Sequence, residues 1–226
     1  MCGRYTLATD VQSYLLELEL QVPDELQHPR RYNIAPSQPV MGIVADPKPR
    51  IEVMEWGYIP VWAKPGSDMK AVINARGETI AEKPYFRGAF HSSRCAILAD
   101  GFYEWQKQRG GGKQPYRITL RTGGIFAMAG VWSNRHDEHA SYRATCAIVT
   151  VGANETMKPI HDRMPLILDV PSLELWLDPK ATKRELEPLL APPPADWLRT
   201  YEVSTAVNSP RNDRVECIES MTSDEQ

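Results

Sequence analysis

Residues 95–107 read CAILADGFYEWQK. Apolar and aromatic residues dominate the stretch, which reads as strand. Side chains alternate along a strand, so Glu104 shares a face with Asp100 and Phe102, while Tyr103 and Trp105 take the other. If the Glu104 face turns inward, burial raises the carboxyl's pKa and suits it to proton transfer. At a strand end in contact with water it is an ordinary surface glutamate, and the residues alone leave both readings open. Gly110, Gly111 and Gly112 follow and read as a hairpin connection to the strand-like PYRITLR, residues 115–121.

Further strand-like runs lie on either side: PVMGIVA (39–45), RIEVMEWGYI (50–59), KAVINAR (70–76), IFAMAGVWS (125–133), YRATCAIVTV (142–151), MPLIL (164–168) and RTYEVS (199–204). Helical spacing is predicted in TDVQSYLLELEL (9–20), with a Thr9/Gln12 capping box and a stripe of Val11, Tyr14, Leu15 and Leu18. Shorter helical patterns occur in ETIAEKPYF (78–86), NETMKPIH (154–161), SLELWL (172–177) and TKRELEPLL (182–190). HPRRYNIAPSQP (28–39) reads as loop, and APPPADW (191–197) as a rigid link. Many strands at short spacing with few helices predict an α+β fold. Its core is a strongly curved, barrel-like, mainly antiparallel sheet flanked by short helices. One domain over residues 1–220 is expected, with a polar tail at 221–226.

The chain has 226 residues, enough for a substantial core, and its 42% hydrophobic and 24% charged residues are ordinary for a globular protein. No apolar run approaches the roughly 20 residues of a membrane span, and no secretory signal is visible, so a cytoplasmic location is expected. The net charge of −3 does not advertise a polyanion binder, and contact with nucleic acid would need a local arginine cluster. Phosphate-loop, dinucleotide and zinc-protease signatures are absent. The cysteines Cys2, Cys95, Cys146 and Cys217 form no C-x-x-C pair, so they are expected to be thiols. No cofactor or metal is implied.

Cys2 stands directly after the initiator methionine. Removal of Met1 would leave an α-amine and a thiol on one residue, two nucleophiles with reference pKa values of about 8 and about 8.5. Asn74 ends an apolar run, either as a substrate-orienting amide or as a turn residue. His161 sits beside Asp162 and Arg163, either as a proton shuttle or as a surface histidine. His28, His91, His136 and His139 have loop-like contexts, with no metal spacing beyond HDEH. Arg4, Arg76, Arg87, Arg94 and Arg163 flank these positions, as do Trp56, Trp62 and Trp105. Arginines beside aromatics suit a single-strand binding groove, although core tryptophans and scattered arginines are the commoner case.

Six segments occur in order: MCGRY, RYNIAPSQ, WGYIPVWA, INARGET, ADGFYEW and IHDRMP. Together they resemble the SRAP family, the SOS response-associated peptidases or abasic site processing proteins. The resemblance implies the SRAP fold, and it implies an enzyme that binds single-stranded DNA carrying an abasic site, or a single-strand/duplex junction. Such an enzyme crosslinks to the ring-opened sugar through the N-terminal cysteine, forming a thiazolidine. By this resemblance Cys2, Asn74, Glu104 and His161 are catalytic. Arg4, Arg76 and Arg163 contact phosphates, while Asn33, Pro36, Trp62 and Trp105 line the DNA groove. A monomer is expected, associated with the nucleoid when bound to DNA. Met164 and Ala63 depart from the family pattern, where a second basic residue and a second aromatic often stand. Two rivals also use an N-terminal cysteine: a hydrolase of the class II glutamine amidotransferase type and a thiol autopeptidase. A non-catalytic single-strand binding module is a third.

Overall fold

A computed structural model describes residues 2–20, 29–45, 48–64, 68–136 and 142–221. In chain order the elements are β1 (Tyr5–Leu7), α1 (Gln12–Glu17), β2 (Arg31–Ile34), β3 (Pro39–Ala45), β4 (Pro49–Trp56), β5 (Asn74–Arg76), α2 (Gly77–Ile80) and α3 (Arg87–Ser92). There follow β6 (Arg94–Ala99), β7 (Gly101–Lys107), β8 (Lys113–Leu120), β9 (Phe126–His136), β10 (Tyr142–Gly152), β11 (Arg163–Pro165), β12 (Ile167–Leu168), α4 (Val170–Leu177), α5 (Lys183–Leu186) and β13 (Leu198–Glu202).

The strands form two sheets. The first is antiparallel throughout, in the order β13-β8-β7-β1-β2. The second closes on itself: β10, β4, β3, β6 and β9 pair in turn, and β9 pairs back to β10. This ring is the expected barrel-like core, and only its β10–β4 pairing is parallel. Its interior is tightly filled, since a Cβ added to Gly130 would meet Cys95 Sγ at 2.9 Å. The C-terminal half of β10 carries β5 in parallel, at residues 148–150, and β11 antiparallel, at residues 150–152. That end of the strand positions the site.

The run at 95–107 is two strands. β6 belongs to the ring and β7 to the open sheet, and the chain crosses between them at Asp100 and Gly101. Gly101 is needed at the crossing, because a Cβ there would lie 2.8 Å from Arg117 Nε and 2.9 Å from Thr6 Oγ1. Alternation beyond the crossing holds. Phe102 packs in the main core, whereas Tyr103 belongs to a second cluster with Val203, Val207 and Cys217, against which Trp105 leans. The glycine hairpin joins β7 to β8, with Gly111 and Gly112 at positive φ, a conformation that glycine adopts without steric cost.

Several local expectations are corrected. Residues 31–34 are strand, not loop, because pairing with β1 (Tyr5 to Ile34, Leu7 to Arg31) overrides their weak local pattern. The capping box of α1 does not form. Val11 is the cap, and Thr9 is drawn away to Asp100, while the Asp10 carboxylate accepts from Gln12 N. The stripe holds, with Val11 and Leu15 buried and Tyr14 and Leu18 packed against the core. Of the pattern at 78–86 only residues 78–80 are helical, in α2, before a turn at Pro84, and α3 begins beyond it. Residues 154–161 form hydrogen-bonded turns rather than a helix, and Pro159 there has no N–H to donate. His91 lies on α3 and His136 ends β9, whereas His28, His139 and the tail 222–226 lie outside the described residues. The four cysteines are free and buried. No helix among the described residues is long and apolar enough to cross a membrane.

Candidate functional site

β1 lies between β2 and β7 in the open sheet. Its register with β7 pairs Tyr5 with Phe102 and Thr6 with Gly101, and Tyr103 N donates to Arg4 O at 3.0 Å. Continued towards the chain start, the same register brings the Cys2–Gly3 segment alongside Glu104. A buried network fixes this pairing. Asp100 accepts from Thr6 Oγ1 at 2.5 Å, Ala8 N at 2.8 Å, and Thr9 N and Oγ1 at 2.7 and 2.9 Å. Arg117 closes the network with an ion pair to Asp100 at 3.1 Å and a hydrogen bond to Thr6 Oγ1 at 3.0 Å. Burial by itself would raise the Asp100 carboxyl's pKa, but the Thr6 hydroxyl, the Arg117 charge and the Thr9 donors together hold it below its ordinary value.

Cys2 is fully buried. Burial, and secondarily the charge of Glu104, push its thiol far above the ordinary range, so it stays protonated at neutral pH. Asn74 reaches the same place from β5, which is held beside Ile148 of β10. Its Nδ2 donates to Cys2 O at 2.8 Å, while its buried Oδ1 has no hydrogen-bond partner among the described residues. Glu104, on β7, is 3% exposed. Desolvation raises its carboxyl's pKa, with an opposing pull from His161, so the inward reading of this glutamate is the correct one. His161 follows the turns at 154–160, and its Nε2 lies 3.9 Å from Glu104 Oε2. Arg163 N donates to His161 Nδ1 at 3.0 Å. The hydrogen-bond network therefore assigns the neutral ring's proton to Nε2, facing Glu104. The Asp162 carboxylate lies 3.0 Å from Nδ1.

The fold therefore brings Cys2, Asn74, Glu104 and His161 together from four separate segments. The arrangement offers a nucleophile, a proton-holding carboxyl, an imidazole open to solvent on one side, and an amide that fixes the nucleophile's backbone. Among the described residues no group of three or more His, Cys, Asp or Glu is placed to hold a metal. A cavity of about 640 Å³ lies elsewhere, between α1 and the β8–β9 turn, and contains none of these four residues.

The expected DNA-contacting residues divide. Arg76 is exposed at the end of β5, and Trp62 is 58% exposed with its edge against Tyr85. Pro36 is half-buried in the turn after β2. Half-buried Trp105 is anchored by Nε1 to Asn208 Oδ1 at 2.7 Å, with the Arg4 guanidinium 5.8 Å from its ring. Arg4 itself is tied to Asn33 Oδ1 at 2.9 Å and Val207 O at 2.8 Å. Asn33 is fully buried, its Nδ2 donates to Val207 O, Ser209 O and Asn212 O, and its oxygen accepts from Arg4, so in this structure it braces the backbone. Arg94 and Trp56 are likewise interior. Arg94 donates to the carbonyls of Phe90, His91, Trp176 and Asp178, and Trp56 packs edge-on against Tyr5. Arg163 forms a two-pronged ion pair with Glu78. Neither Glu78 nor the Asp100–Arg117 pair is singled out by the sequence reading. The position of Glu78 two residues after Arg76 was the available signal for the first, and an acidic residue at a strand crossing for the second.

Fold and site define a class: an α+β protein built around a closed five-stranded ring, with a cysteine at position 2 held against a buried carboxyl, a histidine and an asparagine. The chain belongs to the SOS response associated peptidase (SRAP) family, whose profile matches residues 1–210. The abasic site processing protein YoqW of Bacillus subtilis (strain 168) is 42% identical over 224 residues, covering 97% of this chain and 100% of the relative. The abasic site processing protein YedK of Escherichia coli (strain K12) is 31% identical over 229 residues, covering 97% of this chain and 99% of the relative. A crystal structure of a Bacteroides thetaiotaomicron protein matches with a TM-score of 0.85 at 26% identity, covering 97% of this chain and 100% of that one.

Proposed function

We propose that this protein acts on abasic sites in single-stranded DNA, or at single-strand/duplex junctions, and captures them covalently through Cys2. The observation that carries the reading is the convergence of buried Cys2, Asn74 and Glu104 with the half-buried His161. The names of its relatives, abasic site processing proteins, agree with it.

Removal of Met1 turns the Cys2 amide nitrogen into a primary amine beside the thiol. The ring-opened sugar presents an aldehyde at C1′. The amine adds to that carbon, and loss of one water leaves an imine. The thiol then adds across the C=N bond, sulfur to carbon and proton to nitrogen, closing a five-membered ring. The sum is aminothiol plus aldehyde giving thiazolidine plus water. Ring closure removes the imine, through which the DNA strand would otherwise be cut by β-elimination.

The environment sets the order of these steps. Burial keeps the Cys2 thiol neutral, so the amine attacks first. Burial also keeps Glu104 protonated towards higher pH than an ordinary glutamate. A carboxyl whose pKa is raised suits donation of a proton to the departing hydroxyl of the carbinolamine, and the resulting carboxylate takes the thiol proton as sulfur adds. His161, partly exposed and facing Glu104 through Nε2, assists opening of the sugar ring and exchanges protons with solvent. Asn74 fixes the Cys2 carbonyl, and its open Oδ1 is a ready acceptor for a sugar hydroxyl or the α-amine. Arg76 and Arg163 take phosphates, and Trp62, Trp105 and Pro36 stack or wedge against neighbouring bases. Contacts of these kinds carry little sequence information.

Intact-mass spectrometry after mixing with uracil-derived abasic DNA tests the reading. The expected adduct has the mass of the protein lacking Met1 plus DNA minus one water, and Cys2→Ala abolishes it. An adduct that survives Cys2→Ala, or no adduct with the unaltered protein, overturns the proposal.

A further inference from the structure

The Arg163 guanidinium is already occupied. Its NH2 group donates to Thr150 O at 2.6 Å, to Thr150 Oγ1 at 3.3 Å and to Glu78 Oε2 at 2.9 Å, while NH1 pairs with Glu78 Oε1. Its Nε is buried without a hydrogen-bond partner among the described residues. Two of these acceptors belong to Thr150, a buried residue of β10. The others belong to Glu78, whose side chain is 50% exposed against 14% for Arg163. Glu78 is therefore the ligand that can leave. Arg76, two residues earlier in the chain, adds its charge from the exposed side. The Arg163 hydrogen bonds chiefly, and the charges of Arg163 and Arg76 in smaller part, hold the Glu78 carboxyl below its ordinary pKa.

A carboxylate and a phosphate offer the same two-oxygen edge to an arginine fork. A DNA phosphate approaching Arg163 thus meets a seat filled by an internal anion, and Glu78 must swing out before the phosphate is bound. We propose that Glu78 is a built-in competitor for the DNA phosphate at the Arg76–Arg163 seat. It keeps the hold on undamaged single strands weak, so that lasting attachment depends on the covalent bond at a lesion. Discrimination then comes from disfavouring the wrong ligand as well as from contacts to the right one. This inference rests on the proposed function, because it assumes that the seat receives DNA.

The test is fluorescence anisotropy with an undamaged oligothymidine, which cannot crosslink, on the full chain and on Glu78→Gln. The amide keeps the shape and removes the charge. Binding is expected to tighten about two- to fivefold, the scale of a partly exposed ion pair, with a steeper loss of affinity as salt rises. Glu78→Asp, too short to span both Arg163 nitrogens, should fall between the two, and it serves as the test if Glu78→Gln does not fold. Adding Arg163→Gln to Glu78→Gln should erase the gain. Unchanged or weaker binding by a folded Glu78 variant overturns the proposal, as does a gain that persists without Arg163. The abasic-DNA mass assay on the unaltered protein is run alongside. An adduct there with no affinity gain in the variants refutes the competitor alone, whereas absence of the adduct refutes the underlying function.

Discussion

Replacing Asp100 by Asn keeps the side chain's shape and removes its charge. The carboxylate and its partner Arg117 are 4% and 10% exposed, so solvent cannot replace what is lost. The variant leaves a guanidinium charge buried without its counter-ion and turns an acceptor-only group, serving Thr6, Ala8 and Thr9, into one with donors of its own. Breaking a buried pair from one side costs about 3–5 kcal/mol. In a chain of this size each 1 kcal/mol moves Tm by about 2–4 °C, so the melt should fall by about 6–20 °C at pH 7. The pH profile is a second reading. The folded pKa of Asp100 is depressed, so its contribution is present above the unfolded value of about 3.9 and disappears as pH falls through the folded value. The two melting curves should therefore converge in acid. A Tm within about 2 °C of the unaltered protein at pH 7 would refute the reasoning, as would a gap that stays constant to low pH.

Glu104→Gln should slow adduct formation about 10²-fold or more, measured by single-turnover mass spectrometry, and an unchanged rate removes the carboxyl from the mechanism. The same variant bears on stability with the opposite sign from Asp100. The folded pKa of Glu104 is raised, so the folded state holds the extra proton, and stability declines as pH rises above the unfolded value of about 4.3. The melt of Glu104→Gln relative to the unaltered protein should therefore improve with rising pH, and a flat difference contradicts the burial argument. Trp62→Ala should leave the melt nearly unchanged, since the ring is largely exposed, and should weaken binding to undamaged single strands by about 1–3 kcal/mol. Equal affinity by anisotropy would exclude Trp62 from stacking.

The sequence made some of this legible and hid the rest for physical reasons. Period-two alternation after Gly101 sorted Phe102 and Glu104 from Tyr103 and Trp105, because the two faces of β7 meet different clusters. The crossing at Asp100 was hidden inside a largely apolar run, since β6 and the first half of β7 are both buried. β2 was hidden because its strand character comes from a partner 24 residues or more away in the chain. Asn33, inside a motif, and Arg94, a few residues before one, show how neither residue type nor neighbourhood tells a ligand contact from a backbone brace. An amide or guanidinium that saturates buried carbonyls has the same letter as one that meets DNA. The Arg163–Glu78 pairing spans 85 residues, and only the juxtaposition of β5 and β11 on β10 reveals it.

β1 is an interior strand, and one of its neighbours is made about a hundred residues later: Tyr5 waits for Phe102. β1 therefore leaves the ribosome well before β7, and like other long-range pairings theirs forms late. Under the proposed function the same pairing seats Cys2 beside Glu104, so the capturing site would be completed only once the two strands have docked, and the topology would delay its chemistry until the sheet is built.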